Sequence, residues 1–96
     1  MKAYKHLVKH SLARGFTVSV FDGEEWDVKR SSKYQEIINS IESVEEAQIR
    51  IRDTEGVNVG WALIIPGLED DETVADYTCT DFMDTWDTHY NSMERA

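Results

Sequence analysis

His6 and His10 stand four residues apart in "HLVKH", one helical turn, a spacing at which two imidazoles can grip one metal ion. A metal centre needs a third ligand and a supporting carboxylate, and the N-terminal segment supplies neither. The pair therefore reads as two exposed histidines. Cys79 is a nucleophile only if a base activates it. His89 is the nearest histidine, ten residues on and roughly 15 Å along a shared helix. A packed or half-exposed thiol is the better reading. "EDDETVAD" has the composition of a calcium loop but lacks its central glycine and alternating ligand spacing. Asp22, Glu24, Glu25 and Asp27 crowd Trp26 as if for acid–base work, yet a turn dense in acids is ordinarily solvated. No glycine-rich phosphate loop, serine elbow or dinucleotide fingerprint occurs. The chain reads as a protein without catalytic site, metal or cofactor.

Its charge is more informative. Nineteen acids against ten Lys and Arg leave a formal net charge of −9. Residues 1–14 hold Lys2, Lys5, Lys9 and Arg14 and no acid, whereas residues 66–96 hold nine acids against Arg95 alone. A surface of that sign repels phosphates, so nucleic acid and anionic lipid are excluded as direct ligands of the C-terminal part, and a basic protein surface would be attracted. Acidic surfaces also serve solubility alone. Ninety-six residues make one domain, 1–96, and the hydrophobic fraction of 41% is enough for a packed core. The longest apolar run, Trp61 to Ile65, is far short of a membrane span. One cysteine fits a reducing compartment, and the expected location is the cytoplasm.

The elements that position these residues follow from periodicity. Tyr4, Leu7, Val8 and Leu12 recur at helical spacing, and Gly15 after Arg14 ends that helix. "FTVSVF" alternates as a strand, "DGEE" turns, and "WDVKR" returns with Trp26 and Val28 on one face. A second helix starts near Ser31 or Ser32, either of which can cap it, with Tyr34, Ile37, Ile38, Ile41 and Val44 as its stripe. Ala47, Ile49 and Ile51 alternate with Gln48, Arg50 and Arg52. After the "DTEG" turn, Val57, Val59, Trp61, Leu63 and Ile65 form the apolar face of the return strand, which Pro66 ends. "LEDDETVADYT" has no period and reads as an acidic loop. Thr80 caps a last helix with Phe82, Met83, Trp86, Tyr90 and Met93 inward.

The expected fold is α+β in the order α-β-β-α-β-β-α, a four-stranded antiparallel sheet with helices packed on one face. Trp61, Ile49, Ile51 and Val18 should lie beneath the helices. Arg50 and Arg52 then belong to the polar face, paired across strands with Asp27 or Glu25, or meeting a partner. Asp81, Asp84 and Asp87 recur every three residues along the last helix, after Glu69, Asp70, Asp71, Glu72 and Asp76. Carboxylates at such intervals imitate a phosphate track to a basic groove.

"VSVFDGEEWDVKR", then "IRIRD" with its turn, then "CTDFMDTWDTHY" occur in the order of related segments in a family of small phage inhibitors of host dGTP triphosphohydrolase. Cys79-Thr80-Asp81-Phe82 opening the last helix, after Ile49-Arg50-Ile51-Arg52, carries the resemblance most closely. It covers about two thirds of the chain, and Ser32 to Ser43 looks like an insertion relative to that family. More broadly, the chain resembles early phage proteins that disarm a host enzyme, a class that includes acidic anti-restriction proteins imitating DNA. The resemblance implies a non-enzymatic inhibitor of a host nucleic-acid- or nucleotide-processing or defence protein. Its partner would be a host protein with a basic surface, not a membrane. The expected contacts are Asp81, Asp84, Asp87, Glu69, Asp70, Asp71 and Glu72, with Trp26 and the acids Asp22, Glu24, Glu25 and Asp27 as a second patch. The alternative is a small structural or regulatory domain that forms a homodimer through its sheet, its acids serving solubility.

Overall fold

The computed structural model describes residues 2–95, with side chains through residue 92. Helix α1 spans Ala3–Ala13, strands β1 and β2 Thr17–Phe21 and Trp26–Ser31, and α2 Tyr34–Glu42. Strands β3 and β4 follow at Ala47–Arg52 and Asn58–Ile64, then a 3-10 turn at Asp70–Glu72, strand β5 at Val74–Tyr77 and helix α3 at Asp81–Arg95. The strands make one antiparallel sheet in the order β2-β1-β3-β4-β5. The helices cover one face, α2 over β1 and β2, α1 in the middle and α3 over β4.

Local chemistry explains the breaks. After α1, Gly15 takes φ 78° while its N–H bonds Leu12 and the Phe16 N–H bonds Ser11. This pairing satisfies the last helical carbonyls with a left-handed glycine. The β1–β2 turn is held by the Asp22 carboxylate, which accepts from the Glu24 and Glu25 amides at 2.9 Å each, with Gly23 at φ 107°. Asp53 does the same for the β3–β4 turn, accepting from Glu55 and Val57. Thr80 caps α3, its hydroxyl accepting from the Met83 amide at 3.3 Å and donating to the Val59 carbonyl at 2.6 Å. Before α2, Lys33 occupies the capping position without a side-chain bond, and Ser31 accepts from the Lys33 amide instead.

Val18, Val20, Ile49, Ile51, Ile64, Leu7, Val8, Ile37, Ile41 and Met83 are fully buried between sheet and helices. Side chains of the size of Val, Ile, Leu and Met contribute about 1.5–3 kcal/mol each on burial. Thr73 ties the β5 approach to α1: its hydroxyl accepts from the Tyr4 amide at 3.3 Å and donates to the Asp70 carbonyl at 2.9 Å.

Three expectations are corrected. The sheet has five strands, because residues 74–77 of the expected loop pair with β4 in the register Ala62↔Tyr77 and Leu63↔Asp76. β4 is turned over relative to its expected face. Cross-strand partners share a face, and the pairs Ile49↔Ala62, Ile51↔Gly60 and Ala47↔Ile64 send Gly60, Ala62 and Ile64 inward. Trp61 lies opposite Arg50 on the open face, half-buried, and Val57 is 55% exposed. Gly60 shows why: a Cβ there would lie 2.7 Å from Met83 Sδ and 3.0 Å from its Cγ, so α3 seats against bare backbone. Lastly, Trp26 does not share a face with Val28, because β2 is bulged between them, with Phe21↔Trp26 and Val20↔Val28 as partners. The expected inward turn of Met93 falls outside the described side chains.

Candidate functional site

The helix-free face of the sheet is where side chains of chemical interest converge. Register sets Ser19, Arg50 and Trp61 in one row across β1, β3 and β4, with Phe21, Gln48, Leu63 and Asp76 in the next. At the β2 side a depression of about 370 Å³ is lined by Ser19, Trp26, Lys29, Arg30, Arg50 and Arg52. That volume lies within the range of small-ligand sites. Four of the ten Lys and Arg residues meet there.

A bulge brings two of them. Val18 pairs with Ser31 and Val20 with Val28, so three steps along β2 match two along β1. Val28 and Ser31 are buried toward the helices, and the two residues between them, Lys29 and Arg30, are both exposed and both line the depression. In a regular strand they would point to opposite faces. Arg30 has φ 47°, and it is the non-glycine residue with positive φ among those described. Its amide donates to Ser19 Oγ at 2.8 Å, which holds the bulge. The left-handed conformation costs an L-residue roughly 1–2 kcal/mol.

The β3 arginines are braced without carboxylates. The Arg50 guanidinium lies 5.0 Å from the Trp26 ring centroid, and Phe21 meets Trp26 edge-on at 5.3 Å. Arg52 donates from Nη1 to the Gly56 carbonyl at 3.2 Å. The Nε atoms of both arginines are buried and find no acceptor among the described residues. The expected pairing with Asp27 or Glu25 does not form. Asp27 turns to the helix side, where it accepts from Ser40 Oγ at 2.5 Å. The ion pair among the described residues, Lys5–Glu42 at 3.7 Å, is also on the helix side.

The acids expected to make contacts fall into separate places. Asp22 is committed to its turn, whose amides hold its carboxyl below the usual range, while Glu24 and Glu25 are exposed beside it. This turn joins β1 to edge strand β2. Glu69, Asp70, Asp71 and Glu72 are exposed ahead of β5, the opposite edge. Four strand spacings of about 4.8 Å, some 19 Å, separate the two edges. Asp81 and Asp84 are exposed on α3, and Asp87 is half-buried against Tyr77. Partial burial, with Asp87 and Asp84 close by, raises the Tyr77 pKa, and its ring packs edge-on against Trp86 at 5.7 Å. Asp84 and Asp87 of α3 lie beside Tyr77 of β5, Asp76 faces the open side of the sheet opposite Leu63, and Trp26 belongs to the basic depression.

The histidines are not two exposed residues. His6 is buried, 7% exposed, and its Nδ1 accepts from Trp86 Nε1 at 3.1 Å. His89 of α3 closes a triangle with His6 and His10, at ring-centroid separations of 5.3 to 6.2 Å. Burial lowers the His10 pKa to about 4, reinforced by Arg14 and the other two imidazoles. No group of three or more His, Cys, Asp or Glu among the described residues is arranged to hold a metal ion. The triangle works as packing between α1 and α3. Cys79 is exposed and free, and no described helix is long and apolar enough to cross a membrane.

Sequence reasoning passed over Lys29 and Arg30. Their signal was two adjacent cations inside a strand, which a strict alternation would divide between faces. Compared with models of known families, with curated proteins and with solved structures, the chain matches none.

Proposed function

We propose that this chain is a non-catalytic inhibitor that binds a host protein acting on nucleic acids or nucleotides, a dGTP triphosphohydrolase or a restriction enzyme. It offers the partner's basic surface the carboxylates of β5, the turn before it and α3. The observation that carries this reading is the exposure of Asp70, Asp71, Glu72, Asp76, Asp81 and Asp84 on β5, the turn before it and α3, none ion-paired with a described residue. Asp81, Asp84 and Asp87 advance about 4.5 Å per step along α3, a few ångströms apart as charges are along a nucleic-acid strand, at about 3.4 Å each. The resemblance of Cys79-Thr80-Asp81-Phe82 to the phage inhibitors favours the same partner class.

A homodimer through the open sheet has apolar Trp61 and Leu63 in its favour. Symmetric sheet-to-sheet pairing would, however, bring the arginine clusters of two copies together, and like charges facing each other oppose association.

The test is inhibition of purified enzyme. Increasing protein should reduce dGTP hydrolysis by a dGTP triphosphohydrolase, or cleavage by a restriction enzyme, saturating at a fixed stoichiometry. Inhibition should weaken as salt rises, since exposed charges are screened over about 8 Å at physiological ionic strength. Joint reversal of Asp81, Asp84 and Asp87 to lysine should abolish it while circular dichroism stays unchanged. A folded triple variant with full inhibitory potency would refute the acidic contact, and no inhibition of either enzyme class would refute the function.

A further inference from the structure

We propose that the depression on the open sheet face is a binding site for an oligophosphate group, held by Lys29, Arg30, Arg50 and Arg52. In a chain with net charge −9, four cations gather around about 370 Å³ with no carboxylate among the described residues paired to any of them. Mutual repulsion makes such a cluster unfavourable until an anion enters it. Two further features mark it as built. The bulge in β2 holds Arg30 at φ 47°, a conformation disfavoured for an L-residue, and its effect is to place a second adjacent cation on the open face. The guanidinium of Arg50 is held over Trp26 at 5.0 Å, and Arg52 is tethered to Gly56, so both forks are positioned in advance. Neither buried Nε has an acceptor among the described residues.

The ligand class follows from the charge count and the surroundings. Arginine forks suit bidentate oxyanions, and four cations within one small depression match a ligand carrying several charges on adjoining groups. A long polyanion fits less well, because it would run onto Asp76 and the acids beyond β4 and be repelled there. The site lies on the opposite face from α3 and serves a different ligand from the partner surface proposed above.

The test titrates the full chain at low salt with inorganic tripolyphosphate, with ATP and with adenosine, using calorimetry and the indole N–H resonances. Tripolyphosphate and ATP should each bind once per chain and displace one another, and adenosine should not bind. The Trp26 indole resonance should shift while that of Trp86, beneath the helices, stays in place. Arg50→Gln and Arg52→Gln should each weaken binding about tenfold, the effect of losing one charge-assisted contact. Arg30→Gly should also weaken binding while leaving the melting temperature equal or higher, which separates lost charge from lost fold. Silence from both phosphates at about 1 mM, a concentration that half-fills even a millimolar site, would overturn the proposal. So would undiminished binding by the Arg50 and Arg52 variants, or tighter binding of a short single-stranded DNA than of ATP.

Discussion

Gly60→Ala tests the arrangement of β4 under α3 more sharply than any large truncation. The added methyl would stand 2.7 Å from Met83 Sδ, 3.0 Å from Met83 Cγ and 3.7 Å from Ile51 Cδ1. Met83 and Ile51 are both fully buried, so neither can retreat into solvent. Overpacking of this kind costs about 1–3 kcal/mol. The flexible thioether holds the cost toward the lower half of that range, and the loss of glycine's unfolded-state freedom returns roughly 0.5–1 kcal/mol. The net expectation is a destabilisation of about 1 kcal/mol, seen as a fall in melting temperature of roughly 4–8 °C for a domain this size. Thermal and urea unfolding followed by circular dichroism would measure it. The cause is isolated by a double-mutant cycle: in a Met83→Ala background the alanine at position 60 should cost nothing or stabilise. A Gly60→Ala protein at least as stable as the parent, or equal costs in both backgrounds, would refute the close approach of α3 to β4.

Trp61→Ala should be mild, about 1 kcal/mol or less, because the indole lies on the open face and its N–H bond to Gln48 at 3.1 Å is part-buried; a cost of about 3 kcal/mol or more in urea unfolding would return it to the core. Trp86→Phe removes the donor to buried His6 Nδ1 and should cost about 1–3 kcal/mol by leaving that acceptor unsatisfied; the same unfolding assay checks it. His10 should make the fold acid-sensitive. Its folded pKa of about 4 lies below its ordinary 6.5, so the unfolded chain binds the extra proton between those values. Stability is therefore full above about pH 6.5 and declines as pH falls toward 4, by about 1 kcal/mol because the ring is partly solvated. A chemical-denaturation series from pH 7 to 4 should show that decline diminished in His10→Gln.

Periodicity made most of the fold legible, and the failures have local causes. α1, α2, α3 and the two hairpins carry strong stripes, and their breaks at Gly15, Gly23, Gly56 and Thr80 are turn and cap chemistry written in single residues. β5 was invisible because a four-residue edge strand reading "VADY" has too few inward positions to show a period, and its pairing comes from β4. The acid-rich composition of residues 66–96 could be read directly, but the separation of the β5 edge by the sheet's width from the Asp22–Asp27 turn could not. The basic depression was half legible: Arg50 and Arg52 alternate in plain sight, whereas Lys29 and Arg30 share their face only through a bulge.

By itself the sequence determined the three helices and the two hairpins, the buried faces of β1 and β3, the Thr80 cap of α3 and the charge asymmetry, because each depends on neighbours within a few positions. Tertiary structure decided the orientation of β4, where "VNVGWALII" offers an apolar set on either face. The face with the larger side chains would win on transfer free energy alone. It loses because register with Ile49 and Ile51 puts Gly60 beneath Met83, and a helix can approach a sheet that closely only over bare backbone. The same register carries Trp61 outward to lie opposite Arg50, so what β4 contributes to the open face was settled by packing on the other side of the sheet.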